Sequence, residues 1–190
     1  MPRFVCLDFE TNGFPTKNAY CKDWPLPFSS YPIQVSVDIT EDGVTWHEYD
    51  SLIKGATRFA PWVREHVPVS LSGIWIEGKE LSDVIADLAN LLQEGDTIVA
   101  HNVSFDLDTV LGRATERLGI DTPELRRILA APRFCTMRCA YARMAFKRPP
   151  KLQELCDHFE VQLERAHDAT GDSKALAECV AEAWRRGVML

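Results

Sequence analysis

Asp8 and Glu10 stand two residues apart at the end of the apolar run Phe4-Val5-Cys6-Leu7. If that run is a strand, both carboxylates project from one face. Paired acids at the end of a buried strand are costly unless a cation lies between them. Mg2+ or Mn2+, hard and oxygen-seeking, supplies that charge. Two more acids sit where a strand or loop gives way to a helix. Asp106 closes His101-Asn102-Val103-Ser104-Phe105-Asp106 and falls in a first helical turn, where the helix dipole favours a carboxylate. Asp172 closes His167-Asp168-Ala169-Thr170-Gly171-Asp172 and opens the last helix, with His167 in the loop before it. Each acid alone reads equally as a cap or a surface group. Taken together they are four carboxylates at strand ends and helix starts, with a histidine five residues before the last.

The elements that must position these groups follow from periodicity. Arg3 to Asp8 reads as a buried strand. Residues 33–39 alternate Ile33, Val35, Val37, Ile39 with Gln34, Ser36, Asp38, the period of a half-buried strand. Asp42-Gly43 marks a turn, after which Val44 to Ile53 returns as the second strand of a hairpin. Leu81, Val84, Ile85, Leu88, Leu91 and Leu92 form a helical stripe over residues 80–94, stopped by Gly95. A short strand, Thr97 to Ala100, precedes a helix from Val103 to Leu118 ended by Gly119. Pro123 starts a further helix to Leu129, Phe134 to Met137 forms a short strand, and helices cover Lys151–Phe159 and Thr170–Arg186. This order gives an α/β domain with a mixed sheet, taken as one domain over residues 1–190. Residues 15–32 carry four prolines and form a long Pro- and aromatic-rich loop beside the site.

Composition narrows the class. The chain has 190 residues, 46% of them apolar, and no run approaches the roughly 18 apolar residues of a membrane-spanning helix. The apolar start runs straight into Asp8 and Glu10, unlike a signal peptide. A soluble, cytoplasmic protein with no membrane partner is expected. Cys135 and Cys139 are four apart, yet no second close pair accompanies them, so free thiols are expected in place of a zinc site. The net charge of −7 disfavours nucleic acid as a partner, but the distribution reverses that. From Arg113 to Lys151 ten Lys or Arg face only Glu116, Asp121 and Glu124, a local sum of +7 against −14 elsewhere. That polarity suits an acidic metal site beside a surface that holds phosphates, and equally an ordinary solvated helical face.

The three motifs, DFET at 8–11, HNVSFD at 101–106 and HDATGD at 167–172, resemble those of the DEDD exonucleases in their histidine-bearing subclass. That group takes in DnaQ-type proofreading nucleases, TREX-type nucleases, RNase T and oligoribonuclease. The tyrosine subclass is disfavoured, because Asp168 stands four residues before the last aspartate where that subclass has Tyr. The resemblance implies an RNase H-like (exonuclease) fold, a mixed central sheet of about five strands flanked by helices. It also implies two divalent cations, Mg2+ or Mn2+, held by Asp8, Glu10, Asp106 and Asp172 about 3.5–4 Å apart, with Asp8 bridging. His167 would then deprotonate the attacking water, its ordinary pKa near 6.5 suiting a base at neutral pH.

The activity so implied is 3′-to-5′ exonucleolytic hydrolysis, releasing nucleoside 5′-monophosphates from a nucleic acid with a free 3′ end. DNA is expected ahead of RNA, with trimming of RNA ends as the alternative. By the same resemblance Thr11 contacts the terminal 3′-hydroxyl through its backbone, Phe14 wedges beside the last bases, and Asn102 lies near the substrate backbone. The chain departs from the pattern at Ser173, where relatives carry alanine, and at Asp168, whose charge next to His167 is placed to alter that histidine's pKa. Loop 15–32 is also long, and its Tyr20, Trp24, Phe28 and Tyr31 either stack on unpaired bases or pack a lid onto the core. An HD-type phosphohydrolase, prompted by His167-Asp168, lacks a matching set among His47, His66, His101 and His158. A binding module that has lost catalysis is opposed by the complete set of acids. With no appended segment evident after Gly187, a stand-alone enzyme is expected rather than a polymerase subunit, and oligomeric state is left open.

Overall fold

The structure, a computed structural model, describes residues 2–13 and 30–188. Its centre is a five-stranded mixed sheet in the order β3-β2-β1-β4-β5. β1 (Arg3–Thr11), β2 (Pro32–Glu41) and β3 (Val44–Leu52) are antiparallel neighbours, while β4 (Thr97–Ala100) and β5 (Arg133–Cys135) extend the other edge in parallel with β1. The turn at Asp42-Gly43 closes the β2–β3 hairpin with both residues at positive φ, as an Asp-Gly turn permits.

One face of β1 presents Val5, Leu7 and Phe9 to the main core, which also contains Val84, Ile85 and Leu88 of α3 (Leu81–Leu91) and Leu125 and Ile128 of α5 (Pro123–Ala130). The opposite face presents Cys6, which packs with Val99 on Leu176, Ala177 and Val180 of α8 (Ala169–Arg185). A second stripe of α8, Ala175, Cys179 and Ala183, packs on Leu155, Cys156 and Phe159 of α7 (Leu152–Phe159). Small side chains on both stripes let α8 sit close to its neighbours.

The structure corrects the reading of β2 as half-buried. Every residue from Pro32 to Thr40 is buried, including the polar set Gln34, Ser36, Asp38 and Thr40. These four point at α8, not at solvent. Thr40 Oγ1 donates to the Ala177 carbonyl at 3.1 Å, and Ser173 Oγ donates to Asp38 Oδ2 at 2.6 Å with Ser36 Oγ 2.9 Å away. Alternation alone reports polarity, and hydrogen bonding lets a polar strand face be buried. It also accounts for Ser173: an alanine there has no hydroxyl for Asp38.

Three helical segments go beyond the periodic reading. α1 (Pro61–His66) and α2 (Leu71–Ile76) have six residues each, too few for a stripe to register. The expected strand at Phe134–Met137 is β5 at Arg133–Cys135, after which Thr136 already opens α6 (Thr136–Arg143). The helix expected over 103–118 is also not uniform. Phe105–Gly112 is π-helical and runs without a break into α4 (Arg113–Leu118), where Gly119 at φ 66° ends it. π-Helical turns inside α-helices are frequent at functional sites, and Asp106 lies in this segment. No described helix is long and apolar enough to cross a membrane. The five described cysteines, Cys6, Cys135, Cys139, Cys156 and Cys179, are free thiols.

Replacing Ser173 by Ala leaves the buried Asp38 carboxylate without its closest donor. Urea denaturation is expected to register a loss of about 1.5–3 kcal/mol, the range for hydrogen bonds to charged groups.

Candidate active site

β1 and α8 run past each other so that the face beginning with Cys6 continues as Asp8 and Glu10 toward the start of α8. There Glu10, His167 and Asp172 bring ligand atoms within 4.8 Å of one another, a cluster found among the described residues only here. Asp106, 4% exposed, approaches from the π-helical segment, and its Oδ1 accepts the Phe9 amide at 3.2 Å. Asp8 lies among them and feels the charge of Asp106, Glu10 and Asp172. The structure thus brings all four expected acids and the histidine to one place.

Burial and mutual repulsion govern their titration. Desolvation, then Asp106, Glu10 and Asp172, hold Asp8 well above the carboxylate range. Desolvation and the neighbouring acids, Asp172 foremost, push Glu10 up to about 8. Burial takes Asp106 up to about 7 against the pull of the Phe9 amide, and Asp172 up to about 6 against the pull of the His167 amide. A cation would relieve such a set, and the donors suit one. Asp172 Oδ1 is buried without a hydrogen-bond partner among the described residues, as is Gln34 Oε1. An all-carboxylate set with one histidine at its rim fits Mg2+ or Mn2+ better than a soft metal.

The loop carrying His167 is tightly folded. His167 adopts φ 64°, uncommon outside glycine, and its amide donates to Asp172 Oδ2 at 3.1 Å. Gly171 is required for this fold, since a Cβ there would overlap the Arg165 carbonyl oxygen. The His167 ring stands edge-on to Trp62 of α1 at 4.8 Å, and Trp62 in turn stacks on His66 at 4.4 Å. Burial, with smaller contributions from His66 and Lys151, lowers the His167 pKa. Asp168, expected to act on that histidine, turns instead into the protein and caps α8, accepting the Thr170 amide at 3.4 Å.

The remaining expectations divide. Thr11 is buried just past a register shift that ends the regular β1–β2 pairing, with Oγ1 donating to the Gly13 carbonyl at 2.9 Å. Asn102 follows β4 at φ 102°, its carbonyl accepting the Phe105 amide at 2.7 Å, so it sits where the π-helical segment begins. Phe14 lies outside the described residues, as do Tyr20, Trp24 and Phe28. Tyr31 belongs to the core, its hydroxyl donating to the Lys54 carbonyl at 2.7 Å. His101 is structural: Nε2 donates to the Pro150 carbonyl at 2.9 Å and Nδ1 accepts from Thr136 Oγ1 at 2.9 Å. Of the basic stretch, Arg126, Arg133 and Arg148 are paired with Asp121, Asp108 and Glu154, and Lys151 stands close enough to His167 to influence it. Trp62 and His66 were not identified from sequence. A tryptophan and a histidine four apart after a proline carry no signal until the fold brings α1 to the His167 loop.

Two measurements check these electrostatics. In the unfolded chain the acids ionise near 4, so from about pH 4 to about pH 8 the native state binds more protons than the unfolded state. Stability of the metal-free protein therefore falls as pH rises through that window. Thermal melts in EDTA should show Tm dropping from pH 5 to pH 8, Mg2+ restoring it at pH 8, and Asp8→Asn raising the EDTA value while weakening the Mg2+ response. By NMR, the His167 ring should titrate below the ordinary imidazole range, and Trp62→Ala, which exposes the ring, should move it upward.

The family model described as Exonuclease, of the RNase T type, matches residues 5–180. No curated protein matches by sequence. Among solved structures, the 3′-exonuclease in 3′-end specific recognition of histone mRNA stem-loop superposes with a TM-score of 0.76 at 14% identity, covering 98% of this chain and 83% of that one. Exonuclease X in complex with 5′ overhanging duplex DNA gives 0.65 at 17% identity, covering 100% and 95%. S. pombe Pop2p in its Mg2+ and Mn2+ bound form gives 0.67 at 17% identity, covering 96% and 83%. At these identities the likenesses establish the fold, the mixed five-stranded sheet of DnaQ-like exonucleases. The family rests on the sequence model, whose match takes in all three motifs: the chain belongs to the RNase T/DnaQ-like exonuclease family.

Proposed function

We propose that this protein is a metal-dependent 3′-to-5′ exonuclease that releases nucleoside 5′-monophosphates from single-stranded or frayed 3′ ends, acting on DNA ahead of RNA. The observation that carries this reading is the cluster of Glu10, Asp172 and His167 within 4.8 Å, with Asp8 and the buried Asp106 against it. Asp8, Glu10, Asp106 and Asp172 would hold two divalent cations, Mg2+ or Mn2+, which would supply Lewis-acid stabilisation of the charge that develops on the phosphodiester.

The protein's own part is positioning and proton transfer. His167 accepts the proton of the attacking water at a ring nitrogen. Its lowered pKa keeps it neutral, hence competent as a base, at neutral pH. Trp62 limits the ring's freedom and excludes water from one side of it. The backbone at Thr11 receives the terminal 3′-hydroxyl at the end of β1, and Asn102 meets the sugar-phosphate chain from the end of β4. By the family resemblance Phe14, three residues past the DFET motif, is assigned the role of wedge beside the last bases. Lys151, near His167, supplies positive charge for a phosphate.

The preference for DNA rests on the resemblance to the proofreading and TREX-type branches. The comparison structures include both an exonuclease with an mRNA stem-loop and one with duplex DNA, so the assay must contain both polymers. With 5′-labelled single- and double-stranded DNA and RNA, Mg2+ or Mn2+ should give a ladder shortened from the 3′ end and EDTA should abolish it. Asp8→Ala should remove activity, and His167→Ala should slow it by on the order of 10²–10⁴-fold, the usual contribution of a general base. Internal cuts, or cleavage that survives Asp8→Ala, would overturn the proposal.

A further inference from the structure

The His167 loop is held by a buried polar brace that adjoins the acids. Gln34 on β2 lies opposite Glu10 in the β1–β2 register, and so shares its face of the sheet. It is 8% exposed, and its Nε2 donates to Asp168 Oδ1 at 3.1 Å. Asp168, 5% exposed, is the residue after His167. The same Oδ1 caps α8 at the Thr170 amide, Oδ2 lies 3.2 Å from Arg165 Nη1, and the Asp168 carbonyl accepts the Asp172 amide at 2.9 Å.

The brace therefore runs from the strand beside Glu10, through Asp168, to both sides of the loop. A non-glycine residue at φ 64° persists only where its surroundings hold it there. The Arg165 and Thr170 contacts lie within the loop and helix and move with them. Gln34 ties them to the sheet that carries Asp8 and Glu10. An amide is needed at this point, because a second carboxylate would meet Asp168 without a donor between them. The neighbouring Glu10, Asp172 and Asp8 would add to that repulsion.

We infer that Gln34, acting through Asp168, is a positioning residue that sets the His167 ring against Glu10 and Asp172. This rests on the exonuclease reading above. Misplacing a reacting group by about 1 Å can cost on the order of 10²-fold in rate, so loss of the brace acts on kcat and leaves substrate binding in place.

The test is steady-state hydrolysis of a 5′-labelled single-stranded oligonucleotide at saturating Mg2+, with melting curves to confirm folding. Gln34→Met keeps the side chain's length and removes its donor. It should lower kcat by about tenfold or more and change KM by no more than about twofold. Gln34→Glu should be at least as slow. Asp168→Ala should match the loss, while Asp168→Asn, whose Oδ1 still accepts from Gln34 and Thr170, should recover most of it.

A double-mutant cycle separates positioning from mere stability. In a His167→Ala background the Gln34→Met change should cost nothing further, because there is no ring left to position. If Gln34→Met keeps the wild-type kcat, or slows His167→Ala as much as it slows the wild type, the inference falls while the exonuclease reading stands. If the wild-type protein forms no 3′ ladder, the exonuclease reading itself falls, and the brace inference with it. Should Gln34→Met not fold, Asp168→Ala against Asp168→Asn decides in the same assay.

Discussion

Four carboxylates gathered at the end of a buried strand repel one another, and most of the molecule is arranged to hold them together regardless. The acids arrive on three different elements. Asp8 and Glu10 come on β1, at the centre of the sheet; Asp106 comes on a π-helical segment; Asp172 comes on α8. Because each is carried by an element with its own buried apolar face, the core supplies the free energy that opposes the repulsion. Burial raises the pKa values of Glu10, Asp106 and Asp172, and at Glu10 the charges of Asp172 and Asp106 add to it. A divalent cation bound there would relieve the repulsion, and would thereby link occupancy of the site to stability of the fold.

The framework of the site was legible in the sequence because its signals are local. A continuous apolar run ending in Asp-x-Glu gives β1 its place. An Asp-Gly turn gives the hairpin, and the acids at helix starts give Asp106 and Asp172 their positions. What stayed hidden depends on contacts between distant segments. The polar face of β2 reads as solvent-facing until α8 is laid over it, and Gln34 looks like a surface residue until its bond to Asp168 is seen. Trp62 and His66 lie on a helix of six residues, too short to announce itself by periodicity. Asp168 was misjudged for a related reason. Adjacency in sequence placed its charge beside His167, but its carboxylate is taken up by Gln34, Arg165 and the Thr170 amide.

The basic stretch from Arg113 to Lys151 shows a similar shift between sequence and structure. Summed along the chain it suggests a broad phosphate-binding surface. In the fold, Arg126, Arg133 and Arg148 are engaged with Asp121, Asp108 and Glu154. Exposed pairs of this kind contribute little to stability, but they moderate the field that the stretch presents. Lys151 matters more by position than by number, since it starts α7 close to His167.

The hydroxyl of Ser173 bears on how α8 is allowed to move. An interface of alanine and leucine alone is non-directional, and a helix resting on it can slide along its axis with little change in contact. Ser173 against Asp38, and Thr40 against the Ala177 carbonyl, are directional bonds that fit only one placement. They act as a detent. A slip of one turn would carry Asp172 about 5.4 Å along the helix axis, far outside any shared coordination with Glu10. The residue next to Asp172 thus fixes the axial setting of the helix, so that the distance between Asp172 and Glu10 is held by a contact with β2, the strand beside β1.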